Sequence, residues 1–116
     1  MGENSGDDYL ERRDYTYPGF GAFFDGDPEW AERYDALAEQ VLRRDGDLSR
    51  LMRELIIVAF AAADGRVDAC VNHMRAAQNH GATREQLHQT IQLAAHVGGA
   101  WSMVTGAKAL EELNAD

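Results

Sequence analysis

The chain has one cysteine (Cys70), one lysine (Lys108) and two prolines in 116 residues. A single thiol forms no disulfide within the chain and excludes a CxxC redox centre or a multi-cysteine zinc site, and a reducing cytosol is the compartment it suits. Ten scattered Arg and one Lys stand against 20 acidic residues, a net charge of −9, so the clustered cations that neutralise phosphates are missing and no nucleic-acid partner is expected. The longest apolar run, Leu55 to Ala63, is nine residues, about half of a bilayer span, and no membrane association is expected. The first fifteen residues, with Glu3, Asp7, Asp8, Glu11 and Asp14, lack the basic start and apolar stretch of a signal peptide, and a cytoplasmic product is expected. No strand alternation and no internal repeat appears. The length suits one domain, burying about two-thirds of the surface of its unfolded chain without staples.

Charge and aromatics are unevenly spread. Residues 1–29 hold eight acids and two Arg, whereas residues 30–116 hold twelve acids and nine bases. Residues 1–8, MGENSGDD, are polar and rich in Gly and Asp, as in a disordered tail. Tyr9, Tyr15, Tyr17, Phe20, Phe23 and Phe24 are six of the ten aromatics, a density that water disfavours. The sequence predicts an extended aromatic arm over 9–26, turned at Pro18-Gly19, packed on its own domain or on a neighbouring subunit.

From Asp27 the pattern is helical, and 27–116 reads as one all-α domain. Asp27-Pro28 is an N-cap with Pro at the first helical position, and Thr83-Arg84-Glu85-Gln86 fits a capping box. Gly46, Gly65 and Gly81, spaced 19 and 16 apart, punctuate the pattern at the length of a helix and its turn. About five helices are predicted, at 28–44, 47–64, 66–80, 84–97 and 100–114. The second is apolar nearly all round after Leu55 and therefore central. Eighteen alanines let helices approach closely but bury little area each, at ~25 cal/mol per Å². A homo-oligomer is expected to supply the missing burial.

His73, His80, His88 and His96 lack the spacing that sets two metal ligands one helical turn apart, so no metal site is expected. His80 and His88 flank the Gly81-Ala82 turn and read as solvated. His96, before Val97-Gly98-Gly99, reads as either a buried satisfied histidine or a pocket wall. His73 borders the Val67/Cys70/Met74/Ala77 stripe, which suits a core histidine bonded to a carbonyl or an imidazole whose charge is tuned by its surroundings. Glu54 leads into Leu55-Ile56-Ile57-Val58, either as the last charge before a helix submerges or as a desolvated acid–base group. Arg66 is a surface cation or an anchor for a substrate carboxylate. Cys70 on the stripe reads as filler.

Residues 53–113 resemble the carboxymuconolactone decarboxylase and alkylhydroperoxidase-D superfamily. The resemblance is carried by Glu54 opening an apolar helix, the H-x-R-A-A run from His73 to Ala77, the G-A-T-x-E-Q-L turn and helix start from Gly81 to Leu87, and L-A-A-H-x-x-G from Leu93 to Gly99. It implies a helical fold, trimers or hexamers, and no metal or organic cofactor. In the peroxidase branch a Glu, eleven residues, C-x-x-C, three residues and His form the site. Counted from His73, Glu54 and the histidine match, but the two cysteine positions are Arg66 and Ala69. Disulfide exchange needs a second thiolate to resolve the first, so the resemblance points instead to the decarboxylase branch, which likewise has G-R and non-cysteine residues before the histidine.

That branch implies loss of CO₂ from a carboxylated lactone, with His73 as acid, Glu54 setting its tautomer, and Arg66 gripping a substrate carboxylate, while Cys70 and His96 would complete the substrate site. The aromatic arm suits a larger ligand, such as a β-keto acid or polyketide-like compound. Two other functions stay open: a thiol-dependent peroxidase using Cys70 with an external thiol, and a non-catalytic small-molecule-binding subunit.

Overall fold

The computed structural model describes residues 5, 6, 8 and 17–115, so most of the predicted tail and residues 9–16 of the arm lie outside the described residues. Six α-helices are present among them, with no strand: α1 (Phe20–Asp25), α2 (Pro28–Ala38), α3 (Arg50–Ala63), α4 (Val67–Asn79), α5 (Arg84–Gly98) and α6 (Ala100–Ala115). The fold is all-α. The chain divides into two compact units, 1–46 and 47–116, so α2 groups with the arm rather than with the helices that follow.

In the first unit the aromatics explain that grouping. Phe24 packs over buried Ala31 and its ring lies 6.3 Å from Trp30 and 6.1 Å from Tyr34, which stack on each other at 4.9 Å. These contacts fold Phe20–Asp25 into a short helix where the sequence predicts extended chain. The turn at Pro18-Gly19 is present, closed by the Phe20 N–H on the Tyr17 carbonyl at 3.2 Å. In the tail, the Gly6 N–H donates to Asp25 Oδ1 at 2.6 Å. Asp27 Oδ1 accepts from the Trp30 N–H at 3.1 Å and caps α2. The helix ends not at 44 but in a π-helical turn, Glu39–Arg43, where Arg43 donates to Glu39 Oε2 at 2.6 Å and to the carbonyl and side chain of Asp35 at 3.2 and 3.0 Å.

The second unit is a four-helix assembly whose ends are written locally. Ser49 Oγ accepts from the Met52 N–H at 3.1 Å, starting α3 three residues later than predicted. Thr83 and Gln86 complete a reciprocal capping box for α5 at 2.9 and 3.1 Å. At the end of α3, Gly65 (φ +75°) gives its N–H to Ala62 while Arg66 gives its own to Ala61. This left-handed glycine turn closes two orphan carbonyls and sends α4 back along α3. Val58, Met74 and Leu87 are fully buried, each contributing about 1.5–3 kcal/mol, and small residues fill the remainder. At Gly106 a Cβ would lie 2.4 Å from the Ile91 side chain, so a glycine is what allows α6 to approach α5. Ser102 Oγ is buried there without a hydrogen-bond partner.

Candidate active site

The α3–α4 turn places a charged residue and an imidazole opposite each other. Glu54 occupies the inward stripe of α3 with Val58, Ala61 and Ala62 and is 0% exposed. His73 belongs to the inward face of α4, beside Met74 and Cys70. Glu54 precedes the turn by about three helical turns and His73 follows it by about two, and Glu54 Oε2 meets His73 Nδ1 at 2.7 Å. The second oxygen, Oε1, accepts from Arg50 Nε one turn earlier on α3, at 3.3 Å. A carboxylate withdrawn from water is tolerable only with such partners.

His73 also reaches the wall of a hollow of about 480 Å³, whose apolar wall is Ile57, Phe60, Ala61, Ala63 and Ala69 and whose polar wall is Asp64, Arg66 and His73. The volume falls in the range of about 300–1,000 Å³ typical of small-ligand pockets. Arg66 and Ala69, the positions at which the peroxidase pattern would place thiols, both line the hollow. Arg66 stands at the start of α4, more than half exposed, with Nε 3.4 Å from Asp68 Oδ1. The hollow is open to solvent rather than a closed cavity.

Two predicted substrate contacts lie outside this hollow. Cys70 does not line the hollow: one residue past Ala69 is about 100° further round the helix, and that turns Sγ into the core, 3.8 Å from the Val58 carbonyl oxygen. Burial pushes this thiol up to about 11. His96 is neither buried nor part of the hollow but exposed, because the α5 core stripe of Leu87, Ile91 and Ala94 leaves position 96 about 200° away from Ala94. The sequence reading also passed over Arg50, Phe60 and Asp64. Arg50 had a signal, a cation four residues before a glutamate at the mouth of an apolar helix. Among the described residues no three His, Cys, Asp or Glu side chains converge as a metal site.

An all-α unit with a buried carboxylate–imidazole pair on adjoining helices, beside a hollow, defines a class of small helical protein. Residues 28–112 match the model of the "Carboxymuconolactone decarboxylase family", and the chain belongs to that family. An uncharacterized protein of Cupriavidus necator is 31% identical over 96 residues, covering 83% of this chain and 84% of its own. The crystal structure of an apo carboxymuconolactone decarboxylase family protein from Legionella pneumophila matches with a TM-score of 0.73 at 31% identity, over 80% of this chain and 82% of that one. The superfamily resemblance read from residues 53–113 is therefore established for the fold.

Proposed function

We propose that the protein is a cofactor-independent carbon–carbon lyase that decarboxylates a small carboxylated lactone, β-keto acid or polyketide-like acid. The observation that carries this reading is the buried Glu54–His73 contact at 2.7 Å on the wall of a hollow that Arg66 shares. When the C–CO₂ bond breaks, its electron pair passes into the adjoining carbonyl system as an enolate or dienolate. His73 then delivers a proton to carbon and is recharged from water. Glu54 holds the ring through Nδ1 and stabilises the imidazolium that donates. Arg66 exchanges its surface contact with Asp68 for a substrate carboxylate. Proton transfer of this kind supplies a factor of about 10²–10⁴, so positioning and electrostatic stabilisation of the enolate carry the remainder.

Assembly belongs to the same reading. Phe60, Val97 and Trp101 are 72%, 85% and 80% exposed, with Met52, Ile56 and Leu93 also open. Apolar surface of that extent favours association with further copies, and a trimer or hexamer in the cytoplasm is the form proposed. No helix among the described residues is long and apolar enough to cross a membrane. Sedimentation velocity tests the assembly, and a monomer at micromolar concentration would contradict it. The chemistry is tested by CO₂ release from a panel of carboxylated lactones and β-keto acids, with H73A and E54Q as controls. Turnover lost in both variants at unchanged fold supports the reading, and undiminished turnover in either overturns it. A ligand that protects the protein in thermal melts yet is recovered unchanged by mass spectrometry would favour a non-catalytic binding subunit.

A further inference from the structure

We infer that Asp64 is a specificity-determining residue of the hollow: its carboxylate accepts a hydroxyl of the substrate and rejects a second carboxylate. The substrate class is then an acid with one carboxylate and a hydroxyl group, not a dicarboxylate. The assignment rests on the reading of Arg66 as the carboxylate anchor of a lyase, and its test separates the two.

The α3–α4 turn sets two opposite charges on one wall. Asp64 caps the end of α3 and Arg66 the start of α4, with Gly65 at φ +75° between them. Three backbone bonds hold the turn: the Asp64 N–H on the Phe60 carbonyl at 2.9 Å, the Gly65 N–H on Ala62 at 3.2 Å and the Arg66 N–H on Ala61 at 2.9 Å. Both charged side chains line the hollow beside its apolar residues Ile57 and Phe60. Their bonding differs. Arg66 Nε lies 3.4 Å from Asp68 Oδ1, and those side chains are 55% and 61% exposed. A pair so open to water is weak and yields to a ligand carboxylate. Among the described residues the Asp64 side chain holds no hydrogen bond or ion pair.

Stability offers no competing reason for an acid at this place. A carboxylate at the end of α3 faces the negative pole of the helix dipole. Aspartate often precedes glycine because its side chain bonds the backbone of the turn, but the Asp64 side chain makes no such bond. What it does face is the hollow. A carboxylate accepts hydrogen bonds and donates none, so a ligand hydroxyl satisfies it, whereas a second ligand carboxylate meets like charge. At about 4 Å that repulsion shifts an equilibrium about fivefold in bulk water, and further where the ligand displaces solvent. Arg66 is the one arginine or lysine among the described residues of the wall, and a dicarboxylate finds no second such cation there. An unpaired charge set against the wrong ligand discriminates as effectively as a contact made to the right one. With one carboxylate on the substrate, the group that Arg66 holds is the one lost. The electron pair stays with the substrate, CO₂ departs uncharged, and Arg66 is released to Asp68 while the product keeps its hydroxyl.

The test is isothermal titration calorimetry of the full-length protein, at neutral pH and low salt, with three benzoates that bear a methyl group, a hydroxymethyl group or a second carboxylate at the meta position. Wild type should bind 3-(hydroxymethyl)benzoate most tightly and isophthalate most weakly, at least about tenfold apart. D64N removes the charge with little change of shape and should tighten isophthalate at least about fivefold relative to 3-methylbenzoate. D64A should lose the hydroxymethyl advantage over methyl. E85Q makes the same change of net charge at an exposed position off this wall and should leave the order as in wild type. R66M should weaken all three acids. The assignment is overturned if wild type binds isophthalate as tightly as the hydroxymethyl acid, if D64N keeps the wild-type order, if E85Q shifts it equally, or if none of the three binds. CO₂ release is read separately. The D64N shift without turnover of any acid would remove the lyase reading and leave this selectivity standing. Turnover of dicarboxylates by wild type, unchanged in D64N, would remove the selectivity and leave the lyase reading.

Discussion

Cys70 is the chain's one thiol, and its reactivity separates thiol redox chemistry from acid–base chemistry. Its side chain is 0% exposed, and burial raises its pKa from 9.0 to about 11. Only the thiolate attacks peroxide or an alkylating reagent. At pH 7 the thiolate is then about one part in 10⁴, against about one in 10² for a thiol titrating at 9.0, so ionisation alone slows attack about 100-fold. Burial adds to this, because a reagent must wait for a local opening of α4. The assay is pseudo-first-order alkylation by iodoacetamide, native protein against the same protein in urea, across pH 7–9. Native Cys70 should react at least about 100-fold more slowly, the rate rising about tenfold per pH unit in the native protein as thiolate accumulates. A native rate within about threefold of the unfolded chain would refute the burial argument. Loss of peroxide consumption in C70S would restore a redox role.

Three further outcomes follow from the same packing. The folded thiol titrates near 11 and the unfolded one near 9.0, so the unfolded chain loses its proton first and stability drops as pH rises through that window, by at most about 2–3 kcal/mol; urea titrations at pH 8 and 10 should show the loss in wild type and not in C70A. S102A removes a buried hydroxyl that has no partner, and its urea midpoint should rise, by about 1 kcal/mol or more in stability; a lower midpoint would contradict the assignment of that hydroxyl as unsatisfied. G106A drives a Cβ to within 2.4 Å of Ile91, and chemical denaturation should show about 1–3 kcal/mol of destabilisation, whereas a stabilised variant would mean that α6 does not press on α5 there.

Much of the fold was legible because its signals are local. Asp27-Pro28, Thr83 with Gln86, and the glycines at 65 and 81 act on the backbone within a few residues, and the helix ends sit where those residues place them. The short helix at Phe20–Asp25 was not legible in the same way. FGAFFD has weak helical propensity, and it is ring contacts with Trp30 and Tyr34 that hold it. The π-helical turn was hidden because Arg43 reaches back eight residues to Asp35, a spacing that hydrophobic periodicity does not register. At the site, the meeting of Glu54 and His73 came from a family spacing, not from either residue's surroundings in the sequence. Cys70 and His96 lie outside the hollow for a shared reason: an apolar neighbourhood in the sequence does not say which way a side chain turns. Cys70 turns inward past the hollow, and His96 lies in an apolar stretch, with Val97, that faces water.

The acid–base role of His73 is tested most directly by following decarboxylation of a turned-over acid in D₂O by NMR. The account predicts one deuterium at the carbon that lost CO₂, delivered at the wild-type rate and to one face of the product, with H73A and E54Q both folded and both devoid of turnover. Product formed by H73A at the wild-type rate and with the same facial selectivity would contradict it, because the proton would then have reached carbon without the imidazole.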